Sequence, residues 1–206
     1  MRLINNQIYL PSPSQKGGIS LEEAITQRRS IRDFTPKPIS QSQLSQILWA
    51  TQGITDTSSR LRSVPSAGAT YPLEIFVVCG KDCVEGIDEG IYRYNVDSHS
   101  LTSYHKGDVR LELARVSLHQ EFIYEAPVDI VICALYNRTT FGYGRRGERY
   151  VHMEVGHAGQ NIYLQATALG LATVVIGAFN DEQVKGVLRL DRQCEPLYIM
   201  PVGRPA

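Results

Sequence analysis

At 206 residues with 43% hydrophobic content, the chain is long enough to bury a full core and most economically forms one domain, roughly 100–200 residues being usual. Twenty-one basic residues against twenty-one acidic ones leave no net charge, which excludes the clear basic excess of a general nucleic-acid binder. The N-terminal Met-Arg-Leu-Ile-Asn-Asn-Gln lacks an apolar core of signal-peptide length, and no run approaches the ~18 apolar residues of a membrane span. A cytoplasmic protein with neither nucleic-acid nor membrane partners is expected.

Residues 1–19, with Pro11, Pro13, Gly17 and Gly18 among polar neighbours, predict an extended arm, followed by a single domain over 20–206. Ser20-Leu-Glu-Glu23 has the form of a capping box and opens a helix with Leu21, Ala24 and Ile25 on one side. Pro36 and Pro38 forbid its continuation. A second box, Ser40-Gln-Ser-Gln43, starts a helix whose Leu44, Ile47, Leu48 and Thr51 recur at helical spacing, with Gly53 as its stop. Asp56 to Pro72 is irregular, and loops of that length inside a domain are commonly functional.

Leu73 to Cys79 reads as a buried strand. Ile91 to Val96 and Leu101 to His105 alternate as an exposed hairpin. Val109 to Leu118 predicts an amphipathic helix and Ala126 to Tyr136 a second core strand. Arg138 to Arg149, with Gly142, Gly144 and Gly147, reads as a loop. Val151, Val155, Ala158, Ile162, Ala166 and Leu169 then mark one stripe of a long helix, in which Gly156, Ala158 and Gly159 are small enough for another helix to approach. Gly170 ends it. Leu171 to Phe179 predicts a third buried strand, Asn180 caps a short helix through Leu188, and Leu197 to Val202 is the last strand. Strands and helices mixed with a hairpin predict an α+β fold. The cysteines, at 79, 83, 133 and 194, are too few and irregular for a disulfide scaffold and read as reduced structural thiols.

The densest chemistry lies at Arg28-Arg-Ser-Ile-Arg32, where three guanidinium groups and a hydroxyl fall within five residues. Guanidinium forks match phosphate oxygens two at a time and stay charged at any working pH. The plainer reading is a solvated basic turn at a helix end. Glu154-Val-Gly-His157, with His152 nearby, has the spacing of half a di-iron helix site but lacks the second pair and extra carboxylates, so hydrogen bonding rather than metal binding is expected of it.

Seven segments, taken in order, carry a resemblance. They are Arg28 to Arg32, Leu48-Trp-Ala-Thr-Gln-Gly-Ile54, Pro65-Ser-Ala-Gly-Ala-Thr-Tyr-Pro-Leu-Glu74, Ala126-Pro-Val-Asp-Ile-Val-Ile132, Arg149-Tyr-Val-His-Met-Glu-Val-Gly-His-Ala-Gly-Gln-Asn161, Ile176-Gly-Ala-Phe179 and Pro196-Leu-Tyr-Ile-Met-Pro-Val-Gly203. With them the chain resembles the FMN-dependent nitroreductase superfamily, most closely its SagB-type, thiazole/oxazole dehydrogenase-like branch. The resemblance implies a central, mostly antiparallel sheet flanked by helices, in an intertwined homodimer with FMN at the interface. It implies that Arg28, Arg29, Ser30 and Arg32 meet the phosphate and ribityl chain, and that Pro65, Ser66, Ala67 and Gly68 reach the flavin from the partner. By the same resemblance Gln120 contributes an amide, Ile176, Gly177 and Ala178 bring backbone to the ring, and Arg204 adds phosphate charge. The small residues at 67, 68, 177 and 178 agree, because they let backbone approach a flat ring.

In azoline-oxidising relatives a Lys-Tyr pair deprotonates the substrate ring; here the place is held by Arg149 and Tyr150, and arginine is no base near neutral pH. Tyr150 either keeps an acid/base or positioning role or simply packs at the helix head, and Tyr71, Phe141 and Tyr143 are candidates to line the open flavin face. Three functions follow from the resemblance. The first is an FMN oxidoreductase passing hydride by a ping-pong route from NAD(P)H to a small organic acceptor such as a nitroaromatic or quinone. The second is a SagB-type dehydrogenase oxidising a peptide azoline with partner proteins, and the third a non-catalytic flavin-binding module. No G-x-G-x-x-G lies between a strand and a helix, as suits substrates that stack in turn on one flavin.

Overall fold

The computed structural model describes residues 7–206, so residues 1–6 of the expected arm lie outside the described residues. In chain order the elements are β1 (Gln7–Tyr9), α1 (Leu21–Gln27), α2 (Gln41–Gln52), β2 (Ile54–Asp56), β3 (Leu61–Arg62), a 3-10 turn (Ala67–Ala69), β4 (Leu73–Cys79), β5 (Gly90–Asn95) and β6 (Ser100–Lys106). They continue with α3 (Arg110–Val116), α4 (Phe122–Glu125), β7 (Val128–Ala134), α5 (Asn137–Tyr143), α6 (Arg146–Ala168), β8 (Ala172–Thr173), α7 (Asp181–Leu188) and β9 (Glu195–Gly203).

One seven-stranded sheet, in the order β1-β6-β5-β4-β7-β9-β8, has only antiparallel pairings. Its central strands β4 and β7 are buried at every position, because both faces are covered and neither needs polar alternation. Leu73, Ile75, Val77 and Cys79 of β4 join Ile130 and Ile132 of β7 on one face, under Leu44, Ile47 and Leu48 of α2 and Val151, Val155 and Ile162 of α6. Phe76 and Val78 turn to the other face with Val131 and Cys133, against Leu113 of α3, Ile123 of α4 and Leu188 of α7. Each such aliphatic residue contributes about 1.5–3 kcal/mol when withdrawn from water, so the three-layer core fixes α6 firmly against the sheet. This is the α+β, mostly antiparallel fold expected.

Local signals set the helix ends. Ser20 and Ser40 cap α1 and α2, each hydroxyl accepting from the backbone N–H three residues on, while the side chains of Glu23 and Gln43 accept from the cap N–H in return. Asn180 caps α7 through the Gln183 N–H. At the end of α6, Gly170 takes φ +66°, with Gly170 N–H donating to the Thr167 carbonyl at 3.1 Å and Leu171 N–H to that of Ala166 at 2.8 Å. That pair of bonds is a Schellman closure, which favours glycine.

Several expectations are corrected. The described part of the arm is anchored at its start, where β1 pairs with β6 and Pro11 and Ser14 are held by Ser45 and Gln46 of α2, while residues 14–18 stay exposed and without regular structure. The 91–105 hairpin is not an exposed ribbon, since Ile91, Tyr92, Tyr94 and Leu101 are buried and β5 lies inside the sheet. The 138–149 loop is largely helical. Its break is Gly144, at φ +57°, and Gly147 lies inside α6, where a Cβ would stand 2.9 Å from the Thr140 Cα of α5. A Cβ on Gly159 would stand 3.3 Å from the Tyr198 ring of β9, so this glycine faces the sheet rather than another helix. The expected strand over 171–179 is reduced to β8 and one bridge between Ile176 and Ile199.

Candidate functional site

The arginine segment is pinned by its backbone. Ile31 N–H donates to the Thr173 carbonyl at 3.0 Å, Thr35 N–H to that of Arg204 at 2.9 Å, and Phe34 bridges Pro205. Residues 28–35 therefore run along the ends of β8 and β9. At their start Tyr163 of α6 gathers the local groups. Its hydroxyl is 2.8 Å from the Ser30 hydroxyl and accepts the Val175 N–H at 2.9 Å, while the Arg28 guanidinium lies 5.1 Å over its ring. Arg32 reaches over the Phe122 ring of α4, at 5.8 Å. Arg29 donates to the carbonyls of Thr26 and Arg28, and Arg204 to that of Pro38.

Among the described residues none of Arg28, Arg29, Arg32 and Arg204 has a carboxylate within ion-pair distance. Four cations without internal compensation suit an external anion. Beside them Val175 breaks from the sheet to bond Tyr163, so that Ile176 stays buried while Gly177 and Ala178 emerge exposed. A Cβ at Gly177 would meet only the Tyr198 ring, at 3.8 Å. The amide of Gln120 donates to the Ala178 carbonyl at 3.0 Å and fixes the outer end of this stretch. Sequence reasoning passed over Tyr163. Its one signal was a hydroxyl-bearing ring next to the apolar stripe of α6.

A second group lies elsewhere on the same chain. Pro65, Ser66, Ala67 and Gly68 sit by α5 and the first half of α6: Thr70 bonds Thr139 at 2.8 Å, and a Cβ on Gly68 would approach the Tyr143 hydroxyl to 2.7 Å. Positive φ at Gly68, Ala69 and Tyr71 bends the loop sharply, and Ser66 Oγ holds that bend by accepting the Tyr71 N–H at 2.9 Å. Tyr150 stacks edge-on against Tyr143 with centroids 5.2 Å apart, while Arg149 is exposed. Thirteen residues separate Tyr150 from Tyr163 on α6, about 20 Å at the helical rise. One chain thus keeps the Ser66 loop and Tyr150 apart from the arginine cluster.

A polar cluster supports the second group from below. Arg62 donates to the Gln52 side-chain carbonyl at 2.9 Å and lies 4.2 Å over the Tyr71 ring. Glu154 is buried beside Gln52, Ser66 and Arg62; burial pushes its carboxyl up, partly offset by those three neighbours. Glu154 Oε1 and Gln52 Nε2 have no hydrogen-bond partner among the described residues. His152 bonds the Tyr136 hydroxyl at 2.6 Å.

Comparison with known proteins supplies the family. A profile described as "Nitroreductase family" matches residues 25–204. The chain belongs to the nitroreductase family. Within this family, a protein of Methanocaldococcus jannaschii named as a nitroreductase is 47% identical over 198 residues, covering 96% of both chains. A microcin B17-processing protein of Escherichia coli is 29% identical over 72% of this chain, which spans 56% of that protein. An FMN reductase [NAD(P)H] of Bacillus subtilis is 25% identical over 89% of this chain and 65% of its own length. Among solved structures, a nitroreductase-named protein of Ralstonia eutropha superposes with TM-score 0.86 at 28% identity, covering 98% of this chain and 90% of that one. The nitroreductase fold and family read from the sequence both hold. Among the described residues no helix is long and apolar enough to cross a membrane.

Proposed function

We propose that the protein is an FMN-dependent oxidoreductase of the cytoplasm, acting as a homodimer and passing hydride between NAD(P)H and a small organic acceptor by a ping-pong route. The observation that carries this reading is the set of four arginines that, among the described residues, have no carboxylate partner and lie beside the exposed Gly177–Ala178 backbone. Those features fit a ligand with an anionic end and a flat ring, and the likeness to an FMN reductase supports the choice of flavin.

In this reading Arg28, Arg29, Ser30 and Arg32, with Arg204 behind them, hold the phosphate and ribityl chain. Tyr163 keeps Ser30 and Val175 in register, and Gln120 steadies the Ala178 end of the ring cradle. Ile176, Gly177 and Ala178 offer backbone to the ring edge, where only small residues permit close approach. Pro65, Ser66, Ala67 and Gly68 come from the partner, a role supported by their separation from the arginines on one chain. When bound, FMN supplies reversible hydride transfer, and the protein contributes binding, orientation and charge. Tyr71, Phe141, Tyr143 and Tyr150 lie on the side of the partner's loop and shape the space for the second reactant.

Purified protein with flavin absorbance that bleaches anaerobically on NADH or NADPH, and that migrates as a dimer, is the expected result. Colourless protein that takes up no FMN and migrates as a monomer refutes the reading. The second reading, a SagB-type dehydrogenase acting with partner proteins, draws on the likeness to the microcin B17-processing protein. Against it stands Arg149, which replaces the lysine base and cannot take its proton. Flavin that resists both nicotinamides but is reduced by an azoline peptide favours that second reading; tight flavin binding with no turnover favours a binding module.

A further inference from the structure

We propose a second anion-binding site, separate from the flavin cradle, in the cleft between the first residues of β4, the middle of β5 and α5, where Arg62, Arg93 and Arg138 converge to take a small dianion, phosphate or dicarboxylate. The cleft encloses about 400 Å³. Its charge does not balance. Glu74 and Asp97 are the acids that line it; Glu74, 8% exposed, is shared by two arginines: Arg138 Nη2 meets Oε1 at 2.6 Å, while Arg93 Nε and Nη2 meet Oε2 at 2.7 and 2.6 Å. Asp97 at the rim is already engaged by Arg60.

Arg62 completes the imbalance. It is half-buried, stacked on Tyr71 and bonded to a neutral amide, with no carboxylate within ion-pair distance among the described residues. Partial withdrawal from water destabilises its charge and pulls its pKa down, offset in part by the nearby Asp97 and Glu154 carboxylates. Counting Arg60 with the Asp97 it engages, four guanidinium groups face two carboxylates around this space, and Glu154 offsets part of the excess from behind Arg62; the positive charge that remains is what an added anion neutralises. Guanidinium forks suit paired oxygens of phosphate and carboxylate alike. The tyrosines on the walls do not compete for that role, because the Tyr94 hydroxyl is held by His99 at 2.8 Å and that of Tyr104 by the Arg189 carbonyl at 2.8 Å. None of the cleft's residues belongs to the set assigned to the cofactor, so the inference stands whether or not FMN is the ligand there.

The test is calorimetric titration of the whole chain at low salt with inorganic phosphate and, separately, malonate, with chloride as the monoanion control. The background carries Arg28→Gln and Arg32→Gln, so that the other arginine cluster does not answer for the cleft. Both dianions are expected to bind, with affinity falling as salt rises. Arg62→Gln is expected to weaken binding roughly tenfold, the scale of one charge-assisted contact. Glu74→Gln is expected to strengthen it, because it frees Arg93 and Arg138. Thermal melting checks that each variant folds, and Arg93→Gln replaces Arg62→Gln if the latter does not. Binding that is lost in the Arg28/Arg32 background, no better than chloride, or indifferent to Arg62 and Arg93 overturns the proposal. Binding by phosphate alone retains the site and narrows its ligand to phosphate esters.

Discussion

Asp129 offers a quantitative test of how the sheet is built. It is the second residue of β7, fully buried, and neither carboxyl oxygen has a hydrogen-bond partner among the described residues. The cation nearest in effect is Arg110, but that guanidinium is already committed: Nε and Nη2 donate to the two oxygens of Asp108 at 2.9 and 2.7 Å, and Nη1 to the Ala126 carbonyl. Burial therefore holds the Asp129 carboxyl well above its ordinary range, with Arg110 lowering it only in part. The folded chain keeps this proton where the unfolded chain has lost it. Above the unfolded value of 3.8, stability from this group falls by about 1.4 kcal/mol per pH unit until the folded carboxyl itself titrates.

Asp129→Asn removes that titration while keeping the shape. Its constant cost or gain drops out when urea unfolding of both proteins is compared from pH 4.5 upward. The variant's stability relative to the parent is expected to climb with pH at up to the same ~1.4 kcal/mol per unit. In a chain of this size each kcal/mol corresponds to roughly 2–4 °C in melting temperature. A parent–variant difference that is flat in pH refutes the assignment of Asp129 as a neutral buried acid.

Other expectations concern the candidate site. Tyr163→Phe leaves the Val175 N–H without its acceptor and should cost about 1–3 kcal/mol in denaturant unfolding, together with weaker flavin binding in fluorescence titration; an unchanged protein on both counts removes Tyr163 from the site. Gly177→Ala has room for its methyl, so melting should shift by no more than the equivalent of about 0.5 kcal/mol while flavin content falls. Normal flavin content in that variant argues against backbone contact at Gly177. Glu154→Gln should preserve the Ser66 loop and flavin affinity, whereas Glu154→Ala should lower both stability, by about 2 kcal/mol or more for a lost buried side chain, and flavin affinity. Equal flavin affinity in parent, Gln and Ala variants uncouples Glu154 from the loop.

What could be read from the sequence was whatever is encoded locally. The capping boxes at Ser20 and Ser40, the Asn180 cap and the uninterrupted apolar runs of β4 and β7 each carry their structure within a few residues. α5 and the start of α6 escaped because Tyr136 and Arg145 cap them without any side-chain hydrogen bond, while their glycines imitate a loop. The break at Val175 escaped for a different reason. An apolar run prefers a strand until a hydroxyl from a helix takes one of its N–H groups, and nothing in 171–179 names Tyr163. The cluster of Glu74 with Arg93 and Arg138 joins residues as far as 64 positions apart, a distance no spacing rule spans. For the candidate site, the basic stretch and the small residues were visible, but their division into two groups depends on the length of α6.

The margins of the sheet carry a further consequence. Its outermost strands are the three-residue β1 and the two-residue β8, and beyond β8 the chain turns its backbone to Tyr163 instead of leaving it open. Short borders offer little unsatisfied main chain for a stray strand to template upon. Among the described residues these borders give little purchase for fibre-like stacking, which favours association of a second copy through helices and loops over lengthening of the sheet.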